Sequence, residues 1–357
     1  MTATREVGLT AGPWARTDLT ALRSCSLGIE LGSDRTRIVS ARGGVIADAP
    51  SALAVDLRSG KPVAVGDAAV ALERSRTAEG TLPGYRGRPQ VTVVWPVGDG
   101  SADNPAAVGL LLRALLAKAG KRRSRWRRVA VAVPHRSSPL LMLGVGKALE
   151  SLGVREVVPV ATPFAAACAG HLHLADAHPV LSVVCGASGI QAAVLSSGTV
   201  VDGDLAPTGT AAVDRALAVY LLDTYGLHLG PRHLHTLYPH LSGSPAATLT
   251  LRGWDARNAT PRDQDVDVSE LATAIAVPLD LMADLVRQVV ARSSAEVLFD
   301  LTDRGAVLAG SGAAVAGLAE RIGAATQLPT YPAPDPDLAV ALGIANLISP
   351  ASGKRRR

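Results

Sequence analysis

Two glycine-containing turns carry residues whose types and spacing suit anion binding. Each turn lies between two short apolar runs, within LGIELGSDRTRIV near the N-terminus and VVCGASGIQAAVLS near the middle of the chain. Glycine permits positive φ and close backbone approach, so such turns can direct amide N–H groups at phosphate oxygens. Ordinary hairpins use the same turns, and either turn alone leaves both interpretations open. The residues are Gly32, Ser33, Asp34 and Arg35 in the first turn, and Gly186, Ala187, Ser188 and Gly189 in the second.

The apolar runs around these turns predict the strands that position them. From Ser26 to Asp56 the pattern predicts three strands separated by tight turns, and Val180–Gly198 predicts a similar hairpin. Two such units in one chain indicate an internal repeat of a supersecondary structure. A third glycine turn, with Gly310, Ser311, Gly312 and Ala313, follows the buried strand predicted at Gly305–Ala309.

Helical patterns alternate with the predicted strands along the chain. Asn104 and Pro105 are typical of a helix start, and apolar residues follow at helical spacing. A long helix is predicted from Val268 to Ser293 with a kink at Pro278, another over Ala313–Ala325, and a terminal one over Leu338–Ile348. The fold class is therefore α/β with two halves of similar layout.

Composition excludes several classes of protein. A chain of 357 residues with 48% hydrophobic content can bury a large core and form two domains. Cys25, Cys168 and Cys185 are too scattered for a disulfide framework, and each suits a reducing compartment. The chain has neither a signal-peptide pattern nor an apolar run long enough to span a bilayer, so a cytoplasmic protein is expected.

The basic residues are clustered around Trp126. Lys121 to Arg128 contains six cations, and the chain ends in Lys354–Arg357. Such clusters attract the phosphates of lipids or nucleic acids, but no nucleic-acid-binding motif accompanies them, so no nucleic-acid partner is predicted. Several histidines lie between His171 and His240, yet no carboxylate or cysteine completes a ligand set, and no metal site is predicted from them.

The collinear series of motifs resembles the MreB-like bacterial actins, within the actin, Hsp70 and sugar-kinase superfamily. The series runs through APSALAVD, VVWPVGDG, RVAVAVP, TGTAAVDRAL, LTDRGAVLAGSGAAVAGLAERI and DLAVALGIANLI. The resemblance implies duplicated RNase H-like domains around a nucleotide cleft, with ATP and Mg²⁺ as cofactors. It also implies a cytoskeletal function in cell shape and peptidoglycan synthesis, with self-assembly or assembly with a paralogous actin.

The resemblance assigns residues to a nucleotide site. The phosphate side comprises Glu30, the first two glycine turns and Gly209, and the third turn, at Gly310 to Ala313, would flank the adenine. The adenosine-side motif falls in PRHLHTLY, where neither a carboxylate nor a lysine remains. Its candidate residues are His235, Thr236, Leu237 and Tyr238.

Departures from the family pattern concentrate where the chemistry is expected. Glu30 is one methylene longer than the family's first acidic residue, and Val184 stands at the second acidic position. Thr162 replaces the catalytic glutamate before Pro163, and threonine is no general base at neutral pH. Each loss is expected to lower the rate by a factor on the order of 10². ATP binding is expected to be weakened or lost, and hydrolysis to be impaired.

Two further departures lie on the ribose side of the motif series. Ala211 and Ala212 replace an acidic pair, while Asp214 is retained. The accumulated losses favour an alternative function, a non-polymerising pseudo-ATPase adaptor in a wall-synthesis complex. A small-molecule kinase or an Hsp70-type chaperone fits less well, because the second hairpin lacks a catalytic aspartate and no substrate domain follows the last helix.

The basic loop occupies the place of the family's membrane-inserting loop. Arg123, Arg125, Trp126 and Arg127 are the predicted membrane residues. Six cations and an indole suit an anionic headgroup surface, with about 1 kcal/mol for each basic residue. The predicted location is therefore peripheral, at the inner face of the cell membrane.

The motif order divides the chain into four parts. Residues 1–24 are predicted to be a mobile tail and residues 349–357 a basic tail. Domain I is placed at residues 25–160, with a small subdomain at about 50–90. Domain II is placed at residues 161–348, with a small subdomain at about 228–268, and its terminal helix is expected to pack back on domain I.

Overall fold

The chain folds into two compact units, each with its own sheets and core. The computed structural model describes residues 8–9, 17–42, 44–79, 91–98, 104–118, 126–135, 139–169, 178–242 and 247–349. The first unit comprises Met1–Leu172 with Val340–Arg357, and the second comprises His173–Ala339.

The main sheet of the first unit has six strands. They are β1 (Gly8–Leu9), β2 (Leu27–Leu31), β3 (Arg35–Ser40), β4 (Gly44–Pro50), β8 (Arg128–Val133) and β9 (Glu156–Ala161), in the order β1-β9-β8-β2-β3-β4. Strands β2, β3 and β4 form an antiparallel meander, and β8, β9 and β1 extend the sheet from β2 as parallel strands. A smaller antiparallel sheet holds β5 (Leu53–Asp56), β6 (Pro62–Val65) and β7 (Val91–Val94), in the order β6-β5-β7.

The main sheet of the second unit repeats this layout. Its strands are β10 (Val180–Cys185), β11 (Ile190–Ser196), β12 (Thr199–Ala206), β16 (Ala306–Ala309) and β17 (Thr330–Pro332), in the order β12-β11-β10-β16-β17. Again three strands form an antiparallel meander, and two further strands run parallel to its first strand. A three-stranded sheet holds β13 (Leu227–His228), β14 (Thr248–Asp255) and β15 (Pro261–Asp267). The predicted α/β class and the internal repeat are confirmed.

Helices cover these sheets through apolar residues at helical spacing. In the first unit they are α1 (Leu19–Arg23), α2 (Asp67–Glu79), α3 (Pro105–Lys118), α4 (Pro139–Glu150), α5 (Thr162–Ala169) and α12 (Ala339–Ile348, whose first residue falls in the second unit). In the second unit they are α6 (Thr210–Tyr225), α7 (Pro231–His235), α8 (Val268–Ala274), α9 (Ala276–Ala291), α10 (Ala295–Arg304) and α11 (Leu318–Thr326). Short 3₁₀ helices occupy Tyr238–His240 and Ser311–Ala314.

The helix start predicted at Asn104 shows how the sequence sets these elements. The side-chain oxygen of Asn104 accepts a 3.0 Å hydrogen bond from the amide of Ala107, and Pro105 occupies the first helical position. The apolar stripe of α3, including Val108, Leu111 and Leu115, is buried in the core of the first unit. Capping and amphipathic spacing together therefore fix this helix.

Two predicted helices are interrupted. The helical region from Val268 breaks at Ile275 rather than kinking at Pro278, because Pro278 lies in the first turn of α9, where a missing N–H removes no hydrogen bond. The helix predicted over Ala313–Ala325 is divided into a 3₁₀ turn and α11. Gly317, with φ of 91°, ends the irregular segment between them and precedes α11.

The two units differ from the predicted domain limits. Helix α5 belongs to the first unit, and part of the tail at residues 1–24 has structure in β1 and α1. Helix α12 packs on α5, since Asn346 donates to the carbonyl of Cys168 (3.0 Å). The space for a side chain at Gly343 is filled by backbone of α5. Helix α12 thereby completes the first unit.

Candidate functional site

The turn between β10 and β11 is closed by its own backbone and is fastened to the start of α6. The amide of Gly186 donates to the carbonyl of Gly189 (2.9 Å). The carbonyls of Gly186 and Ala187 accept hydrogen bonds of 3.0 Å from the amides of Thr210 and Ala211. The first amides of α6 are therefore used within the protein.

Gly209 is the residue that allows this close approach. A Cβ atom at Gly209 would lie 2.5 Å from the carbonyl oxygen of Ala187 and from the amide nitrogen of Gly189. No side chain fits at that distance, so glycine is required at the junction of the turn and the helix.

The turn keeps backbone donors that have no acceptor among the described residues. Within the described chain, the amides of Ala187 and Ser188 donate to no protein acceptor, and both residues are half-exposed. They lie beside the N-terminus of α6, where the helix dipole favours negative charge. The turn can therefore bind an anion through these two amides. The first amides of α6 add no donors, because they are already bonded to the turn.

The third glycine turn packs against the end of β10. Strands β10 and β16 are parallel, so Cys185 and Ala309 end at the same edge of the sheet. Gly310 has φ of 85°, and a side chain there would overlap the backbone of Cys185. A side chain at Gly312 would overlap the Cys185 side chain. The structure thus brings the second turn, Gly209 and the third turn, with Ser311 and Ala313, to one place.

A polar cluster centred on Asp214 lies next to this place. The hydroxyl of Tyr238 donates to Asp214 Oδ1 (2.7 Å), and His235 Nε2 lies 2.9 Å from Asp214 Oδ2. The two rings lie 5.1 Å apart between centroids. Burial, followed by the charge of Asp214, raises the pKa of Tyr238 well above its usual range. Both carboxylate oxygens of Asp214 therefore have partners inside the protein.

The other two adenosine-side candidates point elsewhere. The hydroxyl of Thr236 donates to the carbonyl of His233 (2.7 Å), and Leu237 is buried in the core of the second unit. The tetrapeptide from His235 to Tyr238 therefore supplies two side chains to the Asp214 cluster and one to the core. The sequence did not predict the Asp214 cluster, although the absence of carboxylate and lysine from PRHLHTLY marked the segment as unusual.

The turn between β2 and β3 is held by a serine from the next loop. The amide of Gly32 donates to the carbonyl of Arg35 (3.1 Å). Ser51 donates its hydroxyl to the carbonyl of Gly32 (2.6 Å) and its amide to that of Asp34 (2.7 Å). Ser33 is half-exposed at the tip. Arg35 Nε lies 2.8 Å from Asp48 Oδ1, so its guanidinium is directed at a protein carboxylate.

A row of three charged residues crosses the same sheet beside this turn. Arg37 is the register partner of Glu30 on β2 and of Asp48 on β4. Its Nη1 lies 3.4 Å from each oxygen of Glu30, and its Nε lies 3.4 Å from Asp48 Oδ1. The Arg37 side chain is only 4% exposed. Arg37 was not predicted from the sequence, although its place two residues after Arg35 puts both arginines on one side of β3.

Comparison with known proteins identifies the family. The sequence profile described as MreB/Mbl protein matches residues 24–354. The chain belongs to the MreB/Mbl family. The cell shape-determining protein MreB of Escherichia coli K12 is 26% identical over 328 residues, which cover 90% of this chain and 92% of that protein. The cell shape-determining protein Mbl of Bacillus subtilis strain 168 is 24% identical over 325 residues, covering 89% and 93%.

Solved structures show the same fold. MreB5 of Spiroplasma citri bound to AMPPNP aligns with a TM-score of 0.76 at 19% identity, covering 89% of this chain and 93% of that one. MamK in a double helical filament aligns with a TM-score of 0.71 at 18% identity, covering 90% and 97%. The MreB/Mbl-family chain therefore has an actin-like fold.

The residues of this MreB/Mbl-family chain fit a phosphate group better than a metal ion. The amides of Ala187 and Ser188 suit phosphate oxygens, and the glycine turns leave space for close approach. Val184 is 5% exposed and carries no atom that could bind a metal-bound water. Among the described residues, no three His, Cys, Asp or Glu side chains are grouped to hold a metal ion. Mg²⁺ therefore does not fit the residues present.

The remaining predicted catalytic position is Thr162. It begins α5 and is half-buried, while Pro163 after it is buried. The threonine hydroxyl cannot accept a proton from water at neutral pH. Thus the MreB/Mbl-family chain has no general base at the position that the resemblance assigns to catalysis.

The prediction that Trp126 inserts into a membrane is wrong. The indole is 6% exposed and packs in the core of the first unit, just before β8. Burial of the large apolar ring in that core stabilises the fold more than a solvent-facing position would. Arg127 is exposed, whereas Arg123 and Arg125 lie outside the described residues. In the described part of the chain, every helix is too short or too polar to cross a bilayer.

Proposed function

We propose that this chain is a cytoskeletal bacterial actin of the MreB/Mbl type that acts in cell shape and peptidoglycan synthesis. It assembles with itself or with a paralogous actin at the inner face of the membrane and contacts wall-synthesis proteins. Family membership and the actin-like fold support this role. The curated relatives that it resembles across their length are described as cell shape-determining proteins.

We further propose that the chain binds a nucleotide through its phosphates and hydrolyses ATP very slowly. The Spiroplasma citri relative was solved with AMPPNP and with ADP, and the turn at Gly186–Gly189 keeps amides suited to phosphate. The observation that carries the slow hydrolysis is buried Val184, which stands where the family pattern has a carboxylate. Assembly would then be controlled by binding and release rather than by hydrolysis.

The membrane contact in this proposal rests on charge alone. Exposed Arg127 adjoins the basic segment from Lys121, and each cation near an anionic surface contributes about 1 kcal/mol. Because Trp126 is buried, the proposed contact involves no inserted indole at that position.

A non-polymerising adaptor is the second candidate function. The internal use of Asp214 by His235 and Tyr238, together with Val184, favours a protein that keeps the fold without a nucleotide cycle. Pelleting and negative-stain electron microscopy, with and without ATP and on anionic vesicles, separate the two functions. Filaments support the first function. A protein that stays monomeric alone and with a paralogous actin supports the adaptor and contradicts the first function.

A further inference from the structure

The charged row Glu30–Arg37–Asp48 is built into the backbone pairing of the first unit. Glu30 and Arg37 are directly opposite across β2 and β3, and Arg37 and Asp48 are directly opposite across β3 and β4. Directly opposed residues of antiparallel strands project from the same side of the sheet. The strand register therefore holds the guanidinium beside Glu30, so this cation does not depend on a mobile surface chain.

Burial makes this cation a permanent partner of Glu30. The Arg37 side chain is 4% exposed and the Glu30 side chain 17% exposed, so water screens their attraction poorly. Arginine does not lose its proton in proteins, so the positive charge is present at every accessible pH. Arg35 also contacts Asp48, so two arginines lie beside the two carboxylates of Glu30 and Asp48 in the part of the chain that the structure describes.

Glu30 is the residue that the family resemblance assigns to the water shell of Mg²⁺. A divalent cation held by Glu30 would have to share that carboxylate with a guanidinium nitrogen 3.4 Å away. Two cations on one poorly solvated carboxylate repel each other. The guanidinium of Arg37 cannot move away from Glu30 without becoming a buried charge that lacks this partner. The carboxylate is thus already neutralised.

We infer that Arg37 is the fixed counter-ion of Glu30 and that this chain binds its nucleotide without a divalent metal ion. This inference rests on the proposed nucleotide binding and specifies the form of the ligand. The ligand is a nucleoside di- or triphosphate in its metal-free, fully anionic form. Its phosphates contact backbone amides, and no metal-bound water takes part.

The experiment measures ATP affinity by isothermal titration calorimetry on the full chain, in excess EDTA and in MgCl₂. For the unmodified protein, we expect ATP to bind more tightly in EDTA than in MgCl₂, because MgCl₂ converts most of the ATP to its magnesium complex and depletes the metal-free form. Binding about tenfold tighter or more in MgCl₂ overturns the inference and leaves the proposed nucleotide binding intact. Absence of binding in both buffers contradicts the nucleotide proposal itself, and the inference fails with it.

Arginine variants test the cause of metal independence. Arg37→Gln removes the cation beside Glu30. We expect this variant to bind ATP about tenfold or more tightly in MgCl₂ than in EDTA. Arg37→Lys keeps a cation at the position and is expected to remain metal-independent. Arg128→Gln is the matched control in the same sheet, because Arg128 pairs with the directly opposite Glu156 on the neighbouring strand. An Arg128→Gln variant that gains the same Mg²⁺ dependence as Arg37→Gln overturns the specific role of Arg37.

Folding of the variants is checked before binding is measured. If Arg37→Gln does not fold, the comparison of EDTA with MgCl₂ on the unmodified protein still decides the inference. That comparison needs no substitution in the buried row.

Discussion

The hydroxyl of Tyr238 donates a 2.7 Å hydrogen bond to Asp214 Oδ1, and this contact joins α6 to the segment after α7. Tyr238 is buried, and its backbone carbonyl also accepts from the amide of Ala316 (3.0 Å). Tyr238 thus connects α6, which is hydrogen-bonded to the second glycine turn, with the segment that follows the third turn. Asp214, which the family pattern retains, serves here as an internal anchor.

Replacing this phenol is expected to destabilise the second unit. Tyr238→Phe removes a hydrogen bond to a charged carboxylate in a buried site, which costs about 1.5–3 kcal/mol in free energy of unfolding. Tyr331→Phe is the matched control, because Tyr331 is exposed. Urea unfolding followed by circular dichroism measures both variants. Equal stability of the two variants would show that the Tyr238 contact contributes little.

Gly209→Ala tests the junction between the second turn and α6. The added methyl would meet the carbonyl of Ala187 and the amide of Gly189, so the turn must shift, at a cost of about 1–3 kcal/mol. We expect lower stability together with weaker ATP binding. Gly98→Ala is the control, because open space surrounds that position. An unchanged ATP affinity in folded Gly209→Ala would contradict the placement of phosphate at this turn.

The buried thiols predict a loss of stability at alkaline pH. Burial raises the pKa of Cys25 and of Cys185 to about 12 from an ordinary value of 9.0. In the unfolded chain these thiols ionise near pH 9, whereas in the folded protein they stay neutral until about pH 12. Their stabilising contribution is therefore complete below pH 9 and is lost as the pH rises through this window.

The size of this alkaline effect is measurable. At pH 10 each thiol is expected to have lost about 1.4 kcal/mol of its contribution, since one pKa unit corresponds to about 1.36 kcal/mol. Urea unfolding at pH 8 and pH 10 measures the change, and Cys25→Ala should reduce it. A Cys25→Ala variant with the same alkaline slope as the unmodified protein would contradict the assignment to Cys25.

Vesicle binding separates charge from indole insertion in the basic segment. Trp126→Phe keeps an aromatic ring in the core, and we expect it to pellet with anionic vesicles as the unmodified protein does. Replacing Arg123, Arg125 and Arg127 with glutamine is expected to weaken that binding by about 1 kcal/mol for each charge. Release of Trp126→Phe from the vesicles would show that the indole takes part in membrane binding.

The sequence predicted the α/β class, the two hairpin units and many of the elements, because local patterns determine them. Apolar runs separated by glycine turns defined β10 and β11, and the Asn104 cap with its apolar stripe defined α3. The break before Ala276 was not predictable from periodicity, because the apolar residues continue through it at helical spacing. Tertiary contacts decide such breaks.

The site was predicted less completely than the fold, for a physical reason. Candidate turns are visible in the sequence, but the partners of their side chains are set by register and packing. Arg37 faces Glu30 because of the register in which β2 and β3 pair. Trp126 is buried because the fold places its ring against the core of the first unit. Composition gave that tryptophan a surface role because its neighbours along the chain are basic.

The measurement that tests the central claim most directly is phosphate release from ATP by the purified full chain in MgCl₂. Escherichia coli MreB is assayed beside it as the family reference. Because Val184 and Thr162 stand at the assigned carboxylate positions, we expect turnover lower by a factor on the order of 10² or more. Turnover within about tenfold of the reference, a difference of about 1.4 kcal/mol in barrier, would contradict the account of a chain that keeps the fold and lacks the hydrolytic chemistry.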